Sequence, residues 1–379
     1  MLPYFTLAVA FVVSLYLQFS ANVSYNKIPA QQELVGVNTT IDTGLQQIAE
    51  KVLKDGLQNT PAERGLVLVM DVSDGSIKAV TSLVNDKTCR INTTCKDGPI
   101  LGYKDWEPGS VMKPLILAAA INEGKSSPSS IYNDSGSVWI GNRDIKNTTY
   151  RTYGTINMQE VINSSVNTGA VHLLKQLGNN RIDAQSRTTW HHYLVNRYKF
   201  TEAKQLGLLA EEKGFVRPPK GGRDLDYRYA GSSFGIGLTV TPTRLAAAYA
   251  ALVNGGVYHE PRLSILDTIT SERVLSESTS KQMEMVLKTA AQGSDFQKLP
   301  FGVAYGGKTG SAPLTDGDGY YRTDRDSGTF VGFIGGHKER HVVIVRLDAP
   351  DVVGFASTAA RSAWVDLANK IIAFDKNIQ

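Results

Sequence analysis

The chain opens with a mostly apolar stretch from Leu2 to Ala21, inside a segment (residues 1–26) that contains no charged side chain. About 20 helical residues rise roughly 30 Å, the hydrocarbon thickness of a bilayer. The pattern predicts a transmembrane anchor over residues 1–22, with a cleavable signal peptide as the main alternative. Cleavage requires small residues one and three positions before the cut. Ala21 meets this requirement and Phe19 does not, so we favour an uncleaved anchor.

Polar residues from 23 to 40 show no regular period and indicate a linker. Beyond them, an apolar stripe predicts a short amphipathic helix, and apolar runs near both chain ends predict strands. The stripe comprises Ile41, Leu45, Ile48 and Val52. The expected strands are Gly65–Val72, Ser76–Leu83, Val303–Ala312, Gly328–Gly335 and His341–Leu347, and a closing helix covers Ala359–Phe374. This order predicts one α+β domain, residues 41–379, with an antiparallel five-stranded sheet completed from both chain ends around a large helical insert.

The middle of the chain supplies that insert. Residues 125–155 are rich in Ser, Asn, Gly and Thr and are expected to form surface loops. Helical patterns follow over Met158–Leu177, with a break near Ser164–Gly169, and over residues 180–215. Thr241-Pro242 is expected to open a further helix through Leu252, because Thr is a frequent N-cap and Pro suits the first turn.

Composition indicates a packed core but no activity, with 42% hydrophobic and 20% charged residues. A net charge of +4 is small and scattered, so nucleic-acid binding is not expected. His191-His192 is assigned to surface or core, and neither a metal site nor a cofactor is expected. Cys89 and Cys95 flank a polar loop, and in an exported chain such a pair is expected to form a disulfide.

The first candidate for catalysis is Ser110, which follows Pro108-Gly109 and is expected to open a helix. Lys113 lies one turn further on the same helix face. A free lysine has a pKa near ~10.4, so only about one in ~2,500 is neutral at pH 7. Burial, the helix N-terminus or a second cation would each lower that pKa, and a neutral Lys113 could take the proton of Ser110. The spacing also arises by chance, as in Ser278–Lys281, where the serines are interpreted as a helix cap.

Two further stretches carry candidate chemistry. Ser165-Val166-Asn167 falls at the break between helical segments, where a hydroxyl and an amide can face a cleft; an ordinary helix cap is the alternative. Gly306–Ala312 contains Lys308-Thr309-Gly310 on a predicted strand. Glycines beside a lysine on a strand allow close approach of a substrate backbone, and the lysine and threonine can bind a carboxylate. A strand next to a turn is the structural alternative.

The three motifs occur in the order Ser110, Ser165, Lys308, which is typical of penicillin-binding proteins and class A β-lactamases. The sequence resembles the transpeptidase domain of penicillin-binding proteins, most closely the monofunctional class B type, from about residue 41 to 373. Other stretches that carry the resemblance are Thr40–Gln46, Val69–Gly75, Glu107–Ser110, Phe234–Pro242 and Phe330–Phe333.

The resemblance implies a role for each motif residue. Ser110 would attack the D-Ala–D-Ala amide of a peptidoglycan stem peptide, Lys113 would accept its proton, and Ser165 would relay a proton to the leaving D-Ala. Substrate binding would fall to Asn167, Lys308, Thr309, Gly310 and Ser311. The backbone N–H groups of Ser110 and Ser311 would form the oxyanion hole, in which one donor is typically worth ~10²–10³ in rate.

The same resemblance implies partners and location. Stem peptides and the lipid-linked precursor would be substrates, β-lactams would be covalent inhibitors, and other cell-wall synthesis proteins would be partners. The domain would lie outside the bacterial cytoplasmic membrane, anchored by a single span. A DD-carboxypeptidase, a β-lactamase or a non-catalytic β-lactam receptor on the same fold are the alternatives.

Two features depart from the class B pattern. Class B proteins usually carry a pedestal domain after the anchor, whereas about 20 residues separate Ala21 from the first matching helix here. Residues 178–230 follow the family poorly, which leaves the details of the substrate groove open. Because no second catalytic region precedes Ser110, a glycosyltransferase domain is not expected.

Overall fold

The computed structural model describes residues 38–85, 106–148, 150–203, 205–206, 209–210, 213–315, 321–335, 339–351 and 355–378. The predicted anchor and both cysteines lie outside these residues. Within the described ranges, no helix combines the length and the apolar character needed to cross a membrane.

Helices and strands alternate along the chain in the following order. The first half contains α1 (Thr43–Asn59), β1 (Arg64–Asp71), β2 (Ile77–Val84), a 3₁₀ turn (Gly109–Met112), α2 (Lys113–Asn122), β3 (Ile131–Asp134), β4 (Ser137–Ile140), β5 (Arg143–Lys146), β6 (Gly154–Asn157), α3 (Met158–Asn163), α4 (Asn167–Gln176) and α5 (Ala184–His192). The second half contains a π turn (Tyr193–Arg197), β7 (Gln205–Leu206), β8 (Leu209–Ala210), α6 (Leu225–Ser232), α7 (Pro242–Ala251), β9 (Val257–His259), β10 (Ser271–Arg273), α8 (Glu277–Ala290), a second 3₁₀ turn (Ser294–Lys298), β11 (Tyr305–Thr315), β12 (Tyr321–Gly335), β13 (Arg340–Asp348) and α9 (Ala356–Ile378).

A five-stranded antiparallel sheet organises the molecule, with strand order β11-β12-β13-β1-β2. The last strand, β13, pairs with the first, β1, in a register that runs from Arg64 opposite Asp348 to Asp71 opposite His341. Every residue of β13 is buried, which explains its near-continuous apolar run. The predicted sheet, completed from both chain ends, is confirmed.

Two helices from opposite chain ends, α1 and α9, cover one face of the sheet. Asp42 caps α1 by accepting a hydrogen bond from the Leu45 N–H group at 2.9 Å. Leu45 and Val52 of the predicted stripe are buried beneath α1, whereas Ile41 precedes the helix. Trp364 of α9 is fully buried, and its indole N–H donates to the Val343 carbonyl at 3.0 Å.

The other face of the sheet supports the insert, whose central element is α2. All residues of α2 from Lys113 to Ile121 are buried. A helix that is apolar on every side has to lie in a core. Lys113 is the one charged residue in that run, so the packing of α2 takes its side chain out of water.

Two predictions for the insert are wrong. Residues 125–155 contain β3 to β6 and are not loops; the Gly141-Asn142 pair closes β4 and β5 as a two-residue hairpin, a recognised turn signal. Helix does not continue over residues 180–215: α5 and the π turn end at Arg197, and Lys199 adopts a positive φ of 55°, which a helix cannot contain.

The remaining boundaries differ by a few residues, except in β12. This strand begins at Tyr321, seven residues before the predicted Gly328, and pairs with the end of β11 as far as Thr315. The early part is polar and lacks the apolar run that marks the rest. The helix predicted to follow Thr241 is confirmed, since its hydroxyl caps α7 by accepting from the Arg244 N–H group.

Candidate active site

Ser110 lies on the 3₁₀ turn that leads into α2. The sequence predicts that Ser110 opens the helix, but the α-helix begins at Lys113, and the turn has no side-chain cap. Residues three apart eclipse one another in 3₁₀ geometry. The turn therefore aligns the two side chains, and Lys113 Nζ lies 2.7 Å from Ser110 Oγ.

The turn is held against β11 by backbone contacts. Gly109 has a positive φ of 62°, and its N–H donates to the Gly235 carbonyl at 3.0 Å. A Cβ atom at Gly109 would lie 2.4 Å from the Ser311 carbonyl oxygen. Only glycine permits this approach, which places Ser110 and Ser311 on the same groove.

Glu107 ties the start of the turn to two distant segments. Its Oε1 accepts hydrogen bonds from the Gly237 N–H group at 2.6 Å and from the Tyr321 hydroxyl at 2.8 Å. Burial raises the pKa of Glu107. The conserved-looking stretch around Gly237 thus supports the turn. Sequence reasoning quoted Glu107 only as part of the resemblance and missed Tyr321, for which no local signal exists.

Lys113 Nζ is surrounded by oxygen atoms in a fully buried position. Besides Ser110 Oγ, it lies 2.7 Å from the Ser165 carbonyl oxygen, 3.1 Å from Ser165 Oγ and 2.8 Å from Asn167 Oδ1. Burial and the charge of Lys308 hold the pKa of Lys113 well below its usual range. The neutral amine is therefore favoured next to the Ser110 hydroxyl.

Ser165 occupies the break between α3 and α4, as the sequence predicts. It adopts a positive φ of 56°, a conformation that costs a non-glycine residue about 1–3 kcal/mol. Its Oγ lies 3.1 Å from Lys113 Nζ and 3.1 Å from Lys308 Nζ. The strained backbone thus places one hydroxyl between two lysines.

Lys308 extends from β11 and is only 4% exposed. Its Nζ lies 3.1 Å from the Thr309 carbonyl oxygen and 3.2 Å from Thr309 Oγ1. Burial lowers the pKa of Lys308 to about 7. Within the described part of the chain, all its contacts are with neutral oxygens, so a carboxylate arriving in the groove would meet an amine without an acidic partner.

Asn167, at the first turn of α4, is engaged at both ends of its amide. Its Oδ1 accepts from Lys113, and its Nδ2 donates to the Lys146 carbonyl at 2.9 Å and lies 3.4 Å from Thr148 Oγ1. The side chain is therefore fixed by α2 on one side and by the end of β5 on the other.

These residues meet at a groove of about 210 Å³. Its lining consists of hydroxyl, amide and aromatic side chains, and none of the described lining residues is acidic: Ser110, Asn147, Thr148, Tyr153, Asn163, Ser164, Ser165, Thr309, Ser311, Phe355 and Ser357. Gly310 is buried in β11 between two of them.

The second Ser-x-x-Lys pair lies elsewhere, in α8. Ser276, not Ser278, caps that helix, so the assignment of the cap to the Ser278 stretch is corrected by two residues. Lys281 pairs with Glu277 at 2.9 Å on the exposed surface. The structure therefore separates the two pairs by burial, which the spacing alone does not reveal.

Comparisons with known proteins agree with this geometry. Residues 65–373 match the family model described as the penicillin binding protein transpeptidase domain. The chain is 31% identical over 252 residues to the peptidoglycan D,D-transpeptidase FtsI homolog of Chlorokybus atmophyticus, covering 61% of this chain and 35% of that protein. Across the first curated relatives, the chain spans 35% to 62% of their length.

Solved structures share the fold. The apo transpeptidase domain of Burkholderia pseudomallei penicillin-binding protein 3 has a TM-score of 0.74 at 24% identity, covering 89% of this chain and 96% of that one. Mycobacterium tuberculosis penicillin-binding protein 3 complexed with aztreonam has a TM-score of 0.73 at 21% identity, covering 90% and 79%. With its sheet and motif residues in this arrangement, and with the family model matching most of its length, the chain belongs to the penicillin-binding protein transpeptidase family.

Proposed function

We propose that the protein is a serine-type D-Ala–D-Ala transpeptidase that cross-links peptidoglycan stem peptides. The observation that carries the proposal is the buried Lys113 Nζ, 2.7 Å from Ser110 Oγ and 3.1 Å from Ser165 Oγ. A nucleophile, a base with a lowered pKa and a proton relay are thus within hydrogen-bond distance of one another, as covalent catalysis requires.

Acylation begins when Ser110 Oγ attacks the amide carbonyl carbon and its proton passes to Lys113 Nζ. The carbonyl oxygen becomes an oxyanion, for which the backbone N–H groups of Ser110 and Ser311 are the proposed donors. As the C–N bond breaks, the proton moves through the Ser165 hydroxyl to the departing D-Ala amine. An amine of a second stem peptide then attacks the ester, loses a proton to the same base and releases Ser110.

Electrostatics favour a neutral Lys113. Two unit charges about 6 Å apart at an effective dielectric constant of ~20 repel by about 3 kcal/mol. Because both ammonium groups would contact the same Ser165 oxygen, one protonated lysine opposes protonation of the other. Burial acts in the same direction and is the larger cause for Lys113.

Lys308 and Thr309 are the proposed binding site for the terminal carboxylate of the substrate. A carboxylate beside Lys308 would favour its charged form. Asn167 is proposed to hold the substrate amide, with Gly310 and Ser311 lining the approach along β11. A strand edge suits an extended peptide, because main-chain groups can pair along it.

We further propose that residues 2–21 anchor the protein by a single span in the bacterial cytoplasmic membrane, with the domain outside the cytoplasm. The lipid-linked precursor and other cell-wall synthesis proteins would be its partners. A peptidoglycan substrate and the apolar N-terminal run both support this location.

Fluorescent penicillin provides the direct test. The wild-type domain should be labelled covalently, Ser110→Ala should lose all labelling, and Ser278→Ala should retain it. Ser278 is the matched control because it opens the other Ser-x-x-Lys pair, on the exposed face of α8. Labelling that survives Ser110→Ala would contradict the assignment.

The fate of the acyl-enzyme separates a transpeptidase from a β-lactamase. Hydrolysis requires a water and a general base near the ester, yet the described lining of the groove contains no carboxylate. Intact-mass analysis after removal of penicillin should therefore show an adduct that persists for many minutes. Loss within seconds with continuous turnover would favour a β-lactamase. Assay of a stem pentapeptide with and without an acceptor amine distinguishes transpeptidation from carboxypeptidation.

A further inference from the structure

A buried carboxylate lies behind the groove in the strand lobe, which we define as β3 to β6. Asp134, at the end of β3, is 2% exposed and faces no lysine or arginine in the described hydrogen bonds. Such a group is costly to bury unless several donors satisfy it. Its position raises the question of what this charge stabilises.

Four donors from separate segments converge on Asp134. Its Oδ1 accepts from the Thr168 hydroxyl at 2.6 Å and from the Gly136 N–H group at 3.1 Å. Its Oδ2 accepts from Asn147 Nδ2 at 3.0 Å and from the Tyr153 N–H group at 2.8 Å. Burial raises the pKa of Asp134, but these hydrogen bonds outweigh it and leave the pKa below its usual value. The ionised carboxylate therefore joins the strand lobe to α4.

The first turn of α4 depends on this cluster. Val166 offers no side-chain cap, so the orphan N–H group of Thr168 is accepted by Asn147 Oδ1 at 3.2 Å. A negative charge at this end also complements the helix dipole. The cluster thus replaces a local N-cap with two buried side chains from the strand lobe.

The same segments hold the catalytic groups. Asn167 precedes Thr168 and contacts Lys113 Nζ, while its Nδ2 donates to the carbonyl of Lys146, the residue before Asn147. Thr148, the residue after Asn147, lines the groove, as does Tyr153, whose N–H donates to Asp134. Movement of Asp134 would therefore displace both sides of the groove together.

We infer that Asp134 is a positioning residue for the acylation site, acting through Asn147 and Thr168 to fix Asn167 beside Lys113 and to set the groove wall. The inference rests on the proposed function, because its measure is acylation of Ser110. Sequence analysis interpreted this region as surface loops and gave Asp134 no role.

The test compares acylation kinetics of isosteric variants by stopped-flow mixing with a chromogenic or fluorescent penicillin. Asp134→Asn turns one acceptor into a donor that opposes the Thr168 hydroxyl or the Asn147 and Tyr153 donors. The acylation rate constant per folded molecule should fall by about 10- to 100-fold, since displacement by about 1 Å can cost 10²-fold. The dissociation constant of the initial complex should change by less than about threefold, because neither Lys308 nor Thr309 contacts the cluster.

Matched variants separate positioning from general stability. Asp348→Asn alters another buried carboxylate, 0% exposed and paired with Arg64 and Arg346, away from the groove. It should destabilise the fold while leaving the acylation rate constant of the folded enzyme nearly unchanged. Thr168→Val should slow acylation in the same way as Asp134→Asn, and Thr168→Ser should restore it by keeping the hydroxyl.

The outcomes are distinct. If Asp134→Asn does not fold, the Thr168→Val and Thr168→Ser pair decides. Wild-type acylation rate constants in both Asp134→Asn and Thr168→Val, or an equal loss in Asp348→Asn, would overturn the inference. Failure of wild-type Ser110 to react with penicillin would instead overturn the proposed function.

Discussion

Replacing Gly109 by alanine tests whether close packing of the catalytic turn on β11 sets the geometry of Ser110. Alanine at a left-handed φ costs about 1–2 kcal/mol. The new Cβ would also lie 2.4 Å from the Ser311 carbonyl oxygen and 2.9 Å from its carbon. Since both atoms belong to the backbone of a central groove strand, no side-chain rotation relieves the contact.

Forced overpacking of this kind costs about 1–3 kcal/mol more. The variant should therefore lose about 2–5 kcal/mol of unfolding free energy, or roughly 5–15 °C in Tm for a domain of this size. Relief of the clash moves the turn away from β11 and separates Ser110 from Ser311. Acylation by penicillin should fall by at least about 10²-fold, as expected for loss of an oxyanion donor.

Gly141→Ala is the matched control. Gly141 has nearly the same φ, 61° against 62°, but nothing lies within 4 Å of the position its Cβ would occupy. It should lose only the backbone cost of about 1–2 kcal/mol and acylate normally. Thermal unfolding and acylation kinetics of the two variants, measured side by side, isolate the steric contribution. Equal stability losses with wild-type acylation in both would refute the claim that packing on β11 fixes the turn.

Three other predictions address the remaining assignments. Lys308→Gln removes the cation that helps to lower the pKa of Lys113, so the pH at which acylation reaches half its maximum should rise; a shift to lower pH would contradict the coupling. Cys89 and Cys95 should form a disulfide worth less than the ~3 kcal/mol of longer loops, and two free thiols in non-reducing mass analysis of the exported protein would rule it out. A reporter fused at Gln379 should be active outside the cytoplasm, and activity confined to the cytoplasm would contradict the predicted topology.

The sheet was predictable from sequence because its strands are buried and therefore apolar. Runs such as those in β1 and β13 give a strong signal regardless of what lies between them. The strand lobe was not predicted, because its strands are four residues long and mostly half-buried or exposed. Short polar strands depend on cross-strand partners, which a local pattern does not contain.

The catalytic side chains divide in the same way. Ser110 and Lys113 are three residues apart, so their proximity follows from local geometry. Ser165 and Lys308 were found by resemblance, since 143 residues separate them and no periodicity brings them together. Asp134 was missed because its partner Thr168 lies 34 residues away, and only the fold shows that its carboxylate is buried.

Burial of Lys308 implies a stability cost that its function explains. A pKa lowered from 10.5 to about 7 corresponds to about 5 kcal/mol against the protonated form in the folded state. The sign follows from proton binding: the unfolded chain holds this proton more tightly, so the cost is complete below about pH 7 and disappears above about pH 10.5. Stability is therefore reduced at physiological pH by a residue proposed to bind the substrate carboxylate.

Lys308→Gln should accordingly stabilise the domain while impairing acylation. Glutamine keeps polar contacts with Ser165 and Thr309 but carries no proton equilibrium, so its advantage in urea unfolding should reach a few kcal/mol below pH 7. That advantage should shrink as the pH rises towards 10, where the wild-type amine is neutral in both states. Lys288→Gln on the partly exposed face of α8 is a control that should show no such trend. A Lys308→Gln variant less stable than wild type at pH 6 would mean that the protonated amine is satisfied in the folded site, and that its low pKa does not arise from burial.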